Sequence, residues 1–243
     1  MPGRTRLDAE MHARGLVSSR AKAQALIMAR RVKVNDEIVD KAGTQVTGDD
    51  FLEIVELEHP WVGRGGMKLD RALDHFELAV EGLTCADVGA STGGFTDVLL
   101  SRGARRVYSI DVGYGQLDQK LREDPRVVVM ERTNARHLQP GDTELLDLVS
   151  IDVSFISLEL IIPAVIELGR DTLHLIALIK PQFEAGRGKV GKGGIVKDPE
   201  VRKETVEKIA SFTRERGLEM VGVIESPIRG AEGNVEYLMY ARR

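Results

Sequence analysis

The chain has 243 residues, enough for one large domain and a smaller one, and its 42% hydrophobic and 30% charged content is that of a soluble globular protein. No apolar run reaches the roughly 18 residues of a membrane helix, and the N-terminus lacks the apolar core of a signal peptide. The single cysteine, Cys85, excludes an intrachain disulfide and a cysteine-rich zinc site, and suits a reducing, cytoplasmic compartment.

A net charge of −4 does not point to nucleic acid, but its distribution does. Residues 1–35 carry eight basic side chains (Arg4, Arg6, Arg14, Arg20, Lys22, Arg30, Arg31 and Lys33) against two acidic, a net +6, whereas residues 36–58 carry one basic against eight acidic, a net −7. Such a reversal predicts a polarised surface with one face for RNA or DNA.

In chain order, Leu7, Met11 and Leu16 can share one face of a short helix that Gly15 ends. Ser18 or Ser19 offers an N-cap to a second helix, with Ala23, Leu26 and Ile27 inward and Arg20, Lys22, Arg30 and Arg31 outward. Val32-Lys33-Val34 and Ile38-Val39 flank an Asn35-Asp36 hairpin turn, and Phe51–Val55 alternates like an edge strand. His59-Pro60-Trp61-Val62-Gly63-Arg64-Gly65-Gly66 reads as a linker, since neither proline nor glycine continues regular structure cheaply. A helix follows through Leu69, Leu73 and Phe76. Thereafter strands and helices alternate, which predicts an α/β domain with a mainly parallel, doubly wound sheet.

The richest stretch is Asp87-Val88-Gly89-Ala90-Ser91-Thr92-Gly93-Gly94, a strand end and a small-residue loop opening a helix. Glycines let the backbone approach a ligand closely, and the helix N-terminus welcomes an anion. Asp111 ends the next strand about 20 residues on, where a nucleoside-binding unit holds its ribose. A dinucleotide fingerprint fits badly, because it needs glycine where Ser91 stands. The loop instead resembles that of class I (Rossmann-like) methyltransferases, which implies S-adenosylmethionine held by Asp87, Gly89, Ala90, Ser91, Thr92, Gly93, Gly94, Asp111, Val112 and Asp152. Asp152 and Lys180 each end a later strand, and Lys68 and Glu236 stand where they can join them. Glu184-Ala185-Gly186-Arg187-Gly188-Lys189-Val190-Gly191-Lys192-Gly193-Gly194 is a basic glycine-rich stretch, either a flexible connection or a lid that orders on phosphates.

Two family resemblances emerge. Arg6-Leu7-Asp8, Arg14-Gly15-Leu16, Ser19-Arg20 and Val32-Lys33-Val34-Asn35 resemble the alpha-L RNA-binding module named after small-subunit ribosomal protein four. It departs from that pattern at Arg30-Arg31 and Asp36, where glycine is usual. Gly63-Arg64-Gly65-Gly66-Met67-Lys68-Leu69, the Asp87–Asp97 loop, Asp111-Val112-Gly113-Tyr114, Ile151-Asp152-Val153-Ser154-Phe155-Ile156-Ser157, Lys180-Pro181-Gln182-Phe183 and Gly233-Asn234-Val235-Glu236 together resemble the TlyA (haemolysin A) family, related to the FtsJ-like ribosomal RNA 2′-O-methyltransferases. Gly63 stands where that family often has serine.

The second resemblance covers nearly the whole chain. It implies a catalytic tetrad of Lys68, Asp152, Lys180 and Glu236, transfer of a methyl group to a ribose 2′-hydroxyl of ribosomal RNA in assembled subunits, cytidine as the base, and no metal or membrane. The expected division is an RNA-binding domain over residues 1–58, a linker over 59–66 and a methyltransferase domain over 67–243. Arg4, Arg6, Arg14, Arg20, Lys22, Arg30, Arg31, Arg64, Arg187, Lys189 and Lys192 are the expected RNA contacts. The competing readings are a non-catalytic RNA-binding or ribosome-assembly protein that kept the fold, a membrane-lytic protein, and a small-molecule methyltransferase. The absence of membrane-length runs and the basic N-terminal region weigh against the last two.

Overall fold

The computed structural model describes residues 4–28, 31–55, 59–186, 188–230 and 233–243. The chain divides into two compact units, Met1–Pro60 and Trp61–Arg243.

In the first unit, β1 (Thr5–Arg6) leads into α1 (Leu7–Ala13), followed by α2 (Arg20–Met28), β2 (Val32–Val34), β3 (Glu37–Ile38), β4 (Gln45–Val46) and β5 (Leu52–Ile54). Leu7, Met11, Ala23, Ile27, Val32, Val46 and Leu52 form its core. Leu16 does not join them: it is 38% exposed, and Val17 is buried instead. Helix α1 stops before Gly15, whose φ of +71° turns the chain out of the 3.6-residue register that would have carried Leu16 inward. Ser19 caps α2, its Oγ accepting from the backbone N–H of Lys22 at 3.2 Å. Asn35 and Asp36 both have positive φ, 51° and 68°, as the tightest hairpin turn demands between β2 and β3. The Asn35 side chain holds that turn, donating to Asp50 at 2.7 Å and accepting from Phe51 N at 2.9 Å. Strand β5 is an edge of the sheet ordered β3-β2-β5.

The second unit opens with α3 (Gly66–His75), β6 (Thr84–Val88), α4 (Gly94–Ser101), β7 (Arg106–Ile110), α5 (Gln119–Arg122) and β8 (Val127–Met130). It continues through β9 (Leu146–Ile151), α6 (Ile162–Ile166), β10 (Gly169–Ile179), α7 (Pro181–Glu184), α8 (Pro199–Glu215), β11 (Glu219–Glu225) and β12 (Tyr237–Arg242). Its seven strands are ordered β11-β12-β10-β9-β6-β7-β8. The pairs from β10 to β8 are parallel, and β12 runs antiparallel to both neighbours. Successive strand residues face opposite sides, so Cys85, Val107, Leu148 and Ile176 enter one core with Leu69, Leu73 and Leu99. Ala86, Tyr108, Val149 and Ala177 enter the other, with Ile162, Val165 and Ile209. Both faces are covered, the doubly wound arrangement expected for a parallel sheet. Burial pushes the Cys85 thiol up to about 12, so it packs rather than reacts.

Trp61 and Val62, in the stretch read as linker, pack against the core of this second unit. The Val62 N–H donates to Asp97 at 2.9 Å.

Candidate active site

Strand register assembles the site. Val88 is level with Ile151, Ile151 with Ala177, and Ile179 with Tyr237. Gly89, Asp152 and Lys180 therefore leave the sheet at one edge, just beyond the carboxyl ends of β6, β9 and β10. Glu236 reaches the same edge because β12 is reversed, so that its first residue lies where its neighbours finish. Helix α3 brings Lys68 from one face.

These four ionisable side chains meet. Lys68 Nζ donates to Glu236 Oε2 at 2.7 Å and lies 3.8 Å from Asp152 Oδ2. Lys180 Nζ is 2.6 Å from Asp152 Oδ1 and donates to Ser154 Oγ at 2.8 Å. Lys68, Lys180 and Glu236 are only 7%, 8% and 2% exposed. Two cations and two anions offset one another, as buried charges require. The backbone of Gly230 presses on the Glu236 carboxylate, where a Cβ would stand 2.6 Å from Cδ. Asn234, buried next to it, accepts from Val196 N at 3.0 Å and donates to Gly194 O at 2.9 Å. The end of the glycine-rich stretch is thereby tied to the segment that carries Glu236.

Beside the cluster lies a cleft of about 220 Å³ lined by Gly63, Arg64, Gly65, Lys68, Asp87, Gly89, Ala90, Ser91, Thr92, Gly94, Phe95 and Asp152. Glycine is obligatory at two of its walls. Gly89 has φ +87°, and a Cβ there would lie 2.5 Å from the Asp152 carbonyl oxygen. A Cβ on Gly94 would lie 2.9 Å from Gly66 N, so the two glycine-rich turns close backbone to backbone. Asp87 is fully buried, and its Oδ2 accepts from Thr96 N at 2.9 Å and Thr96 Oγ1 at 2.7 Å. Its Oδ1 has no hydrogen-bond partner among the described residues. Burial, against the pull of the Thr96 bonds, pushes this carboxyl up to about 7.

Other expected cofactor residues stand back from the cleft. Gly93 is buried against Leu117 and Leu121. Asp111 and Val112 lie outside the lining, but Asp111 shapes it, accepting from Ser91 N at 2.8 Å and Gly113 N at 2.7 Å. Ser91 itself has φ +49°. Among the described residues no group of three or more His, Cys, Asp or Glu side chains is gathered to hold a metal ion, and no helix is long and apolar enough to cross a membrane.

Of the basic residues singled out, Arg64 lines the cleft and Lys189 pairs with Glu204. Arg30 and Arg187 lie outside the described residues. In the first unit Arg6 and Arg20 share Asp8, at 3.0 and 3.1 Å, and Gln24 donates to it at 2.6 Å. Arg4, Lys22 and Lys192 are exposed and Arg31 is half-buried. Arg14 has an internal task that its charge did not disclose. Its guanidinium meets Glu10 at 2.8 Å and the carbonyls of Asp50, Thr47 and Gly48 at 2.7, 2.8 and 3.1 Å. It pins the β4–β5 turn to α1, leaving little of its hydrogen-bonding capacity for a phosphate.

Ser154, Thr96 and Glu184 were not assigned roles from the sequence. Ser154 lies two residues past Asp152, the same-side spacing of extended chain, and that was the available signal. Thr96 and Glu184 act through contacts that no local pattern announces.

Models of two families match this chain: the FtsJ-like methyltransferase over residues 61–243 and the S4 domain over residues 5–52. The chain is 48% identical over its whole length to the 16S/23S rRNA (cytidine-2′-O)-methyltransferase TlyA of Mycobacterium tuberculosis, covering 91% of it. It is 42% identical to Hemolysin A of Brachyspira hyodysenteriae, across 97% of this chain and 98% of that one. A solved hemolysin-like structure from Streptococcus thermophilus aligns with all of this chain and 89% of its own, with a TM-score of 0.78 and 42% identity. With its sheet order, its glycine-walled cleft and its buried lysine–carboxylate cluster, the chain belongs to the FtsJ-like methyltransferase family and stands among its TlyA members.

Proposed function

We propose that this protein transfers the methyl group of S-adenosylmethionine to a ribose 2′-hydroxyl of ribosomal RNA, at cytidine, in assembled subunits in the cytoplasm. The observation that carries the reading is the juxtaposition of the buried Lys68–Glu236 and Asp152–Lys180 pairs with a cleft walled by glycine backbone. A non-catalytic RNA-binding protein has no use for four charges gathered at a sheet edge, three of them buried.

The cleft fits the cofactor. Asp87 Oδ1 is a buried acceptor in want of a cation, which the cofactor's ammonium provides. The backbone of Gly89 to Gly94 accommodates close contact, and Asp111, which accepts from Ser91 N at 2.8 Å, would take the ribose hydroxyls. When bound, S-adenosylmethionine supplies an electrophilic methyl group on a sulfonium.

The chain's own residues manage the hydroxyl. Lys180, as a neutral amine, takes the proton when the O–H bond breaks; as an ammonium it stabilises the developing alkoxide while the proton passes to solvent water. Asp152 orients Lys180, while Lys68 and Glu236 position the ribose. Residues 1–58 supply RNA affinity through exposed cations that read the phosphate backbone, residues 67–243 carry the chemistry and 59–66 join them. The direct test uses ribosomal subunits from cells lacking this protein, with S-adenosylmethionine as donor and the modified ribose mapped. Ribose methylation at cytidine is expected, and absence of transfer refutes the reading.

A further inference from the structure

We infer that Ser154 is a positioning residue for Lys180, and that Glu184 holds the loop that presents it. The inference rests on the reading of Lys180 as the group that meets the 2′-hydroxyl.

The amine of Lys180 is gripped twice by one loop, by Asp152 at 2.6 Å and by Ser154 at 2.8 Å. A tetrahedral nitrogen has three positions beyond its carbon. With two spent on these acceptors, the third is fixed in direction. In the neutral amine both N–H groups are committed, and the third position is the lone pair. In the ammonium it is the remaining N–H. Either way the same direction is left for the substrate hydroxyl. Without Ser154 the amine can turn about its bond to carbon while keeping Asp152, and its direction is lost.

The loop is built for this grip. Phe155, next to Ser154, has φ +64°, a costly backbone conformation for a bulky residue and one that persists only where the surroundings impose it. Beyond it, Ser157 Oγ donates to Glu184 Oε2 at 2.6 Å and Leu158 N to Glu184 Oε1 at 2.7 Å. Glu184 is buried and lies four residues past Lys180, on α7. The segments 152–158 and 180–184 are thus fastened at both ends, one fastening being the reacting lysine. Burial raises the Glu184 carboxyl.

The test measures methyl transfer to ribosomal subunits by the full chain carrying Ser154→Ala, Ser154→Thr, or Lys180→Ala, with cofactor affinity measured by calorimetry. Ser154→Ala should lower kcat about 10-fold, the scale of a misdirected catalytic group, with KM for RNA and cofactor affinity unchanged. Ser154→Thr, which keeps the hydroxyl, should recover turnover to within about twofold. Lys180→Ala inactive beside a fully active Ser154→Ala would overturn the inference alone. Lys180→Ala active would overturn the reading of Lys180 and the inference with it. A Ser154→Ala defect in cofactor affinity, or one that threonine does not rescue, would also overturn the inference.

Discussion

Each unit buries an aspartate completely, and the two carry opposite consequences. Asp8 of the first unit is ringed by Arg6, Gln24 and Arg20, which hold its carboxyl well below the usual carboxylate range, Arg6 foremost. Asp87 of the second unit has, among the described residues, Thr96 alone as a hydrogen-bond partner, and its burial pushes it up to about 7. Burial penalises both charges; what differs is whether cations accompany them. The arginines on Asp8 are half exposed, so the buried anion serves to hold cationic surface outward. Asp87 keeps an oxygen with no partner among the described residues, and Lys68 and Lys180 are committed to Glu236 and Asp152. On the proposed reading, one region presents charge to RNA, and the other receives the cofactor's cation and directs a proton.

The largest expected effect tests the second half of that contrast. Lys180→Ala should reduce turnover on ribosomal subunits on the order of 100-fold or more, while calorimetry gives a cofactor affinity close to that of the parent chain. Turnover preserved within a few-fold would mean that the buried pairs are merely structural.

Next in size is Asp111→Ala. Loss of charged hydrogen bonds to the cofactor ribose should weaken cofactor binding by about 1.5–3 kcal/mol. Because Asp111 also fixes Ser91 N, the variant's melting temperature should be recorded with its affinity. An unchanged affinity would take Asp111 out of the binding site.

A third prediction concerns pH. The folded-state value of Asp87, about 7, lies above its ordinary value of 3.8, so the folded protein binds this proton more tightly than the unfolded chain does. Its contribution to stability is complete below about 4 and is lost as pH rises to about 7, with a slope of at most about 1.4 kcal/mol per pH unit. Asp87→Asn, which keeps an acceptor for Thr96, should flatten that slope in chemical denaturation. Cofactor affinity should run the other way, rising as Asp87 ionises, and the same variant should abolish this dependence. Asp8 has the opposite sign, its contribution falling away only in strong acid.

The smallest effect probes the first unit. Replacing Arg6 and Arg20 with alanine should raise the RNA concentration for half-maximal rate a few-fold and lower the salt slope by about two. Cofactor affinity should stay the same. A salt slope unmoved by the double replacement would leave Asp8 and its arginines a purely internal device.

What the sequence by itself determined here was carried by short-range signals. Alternating strands and helices foretold the doubly wound sheet, Asn35-Asp36 its hairpin, and Gly89 to Gly94 a backbone-walled cleft, because glycine and periodicity act over a few residues. The four charges of the cluster stood out by their places at element ends and were joined into a tetrad by family resemblance, but nothing local connects Lys68 to Glu236, 168 residues away. Their meeting depends on strand order and on the reversal of β12, which are decided by packing across the whole sheet. The same holds for smaller matters. Leu16 turned outward because Gly15 broke the helix, and Arg14 folded back onto carbonyls of a turn more than 30 residues on. Burial pushes Asp87 up to about 7 once the sheet and α4 close over it. Charge and residue type are written along the chain, but what a buried group has for company is settled only when distant segments close around it.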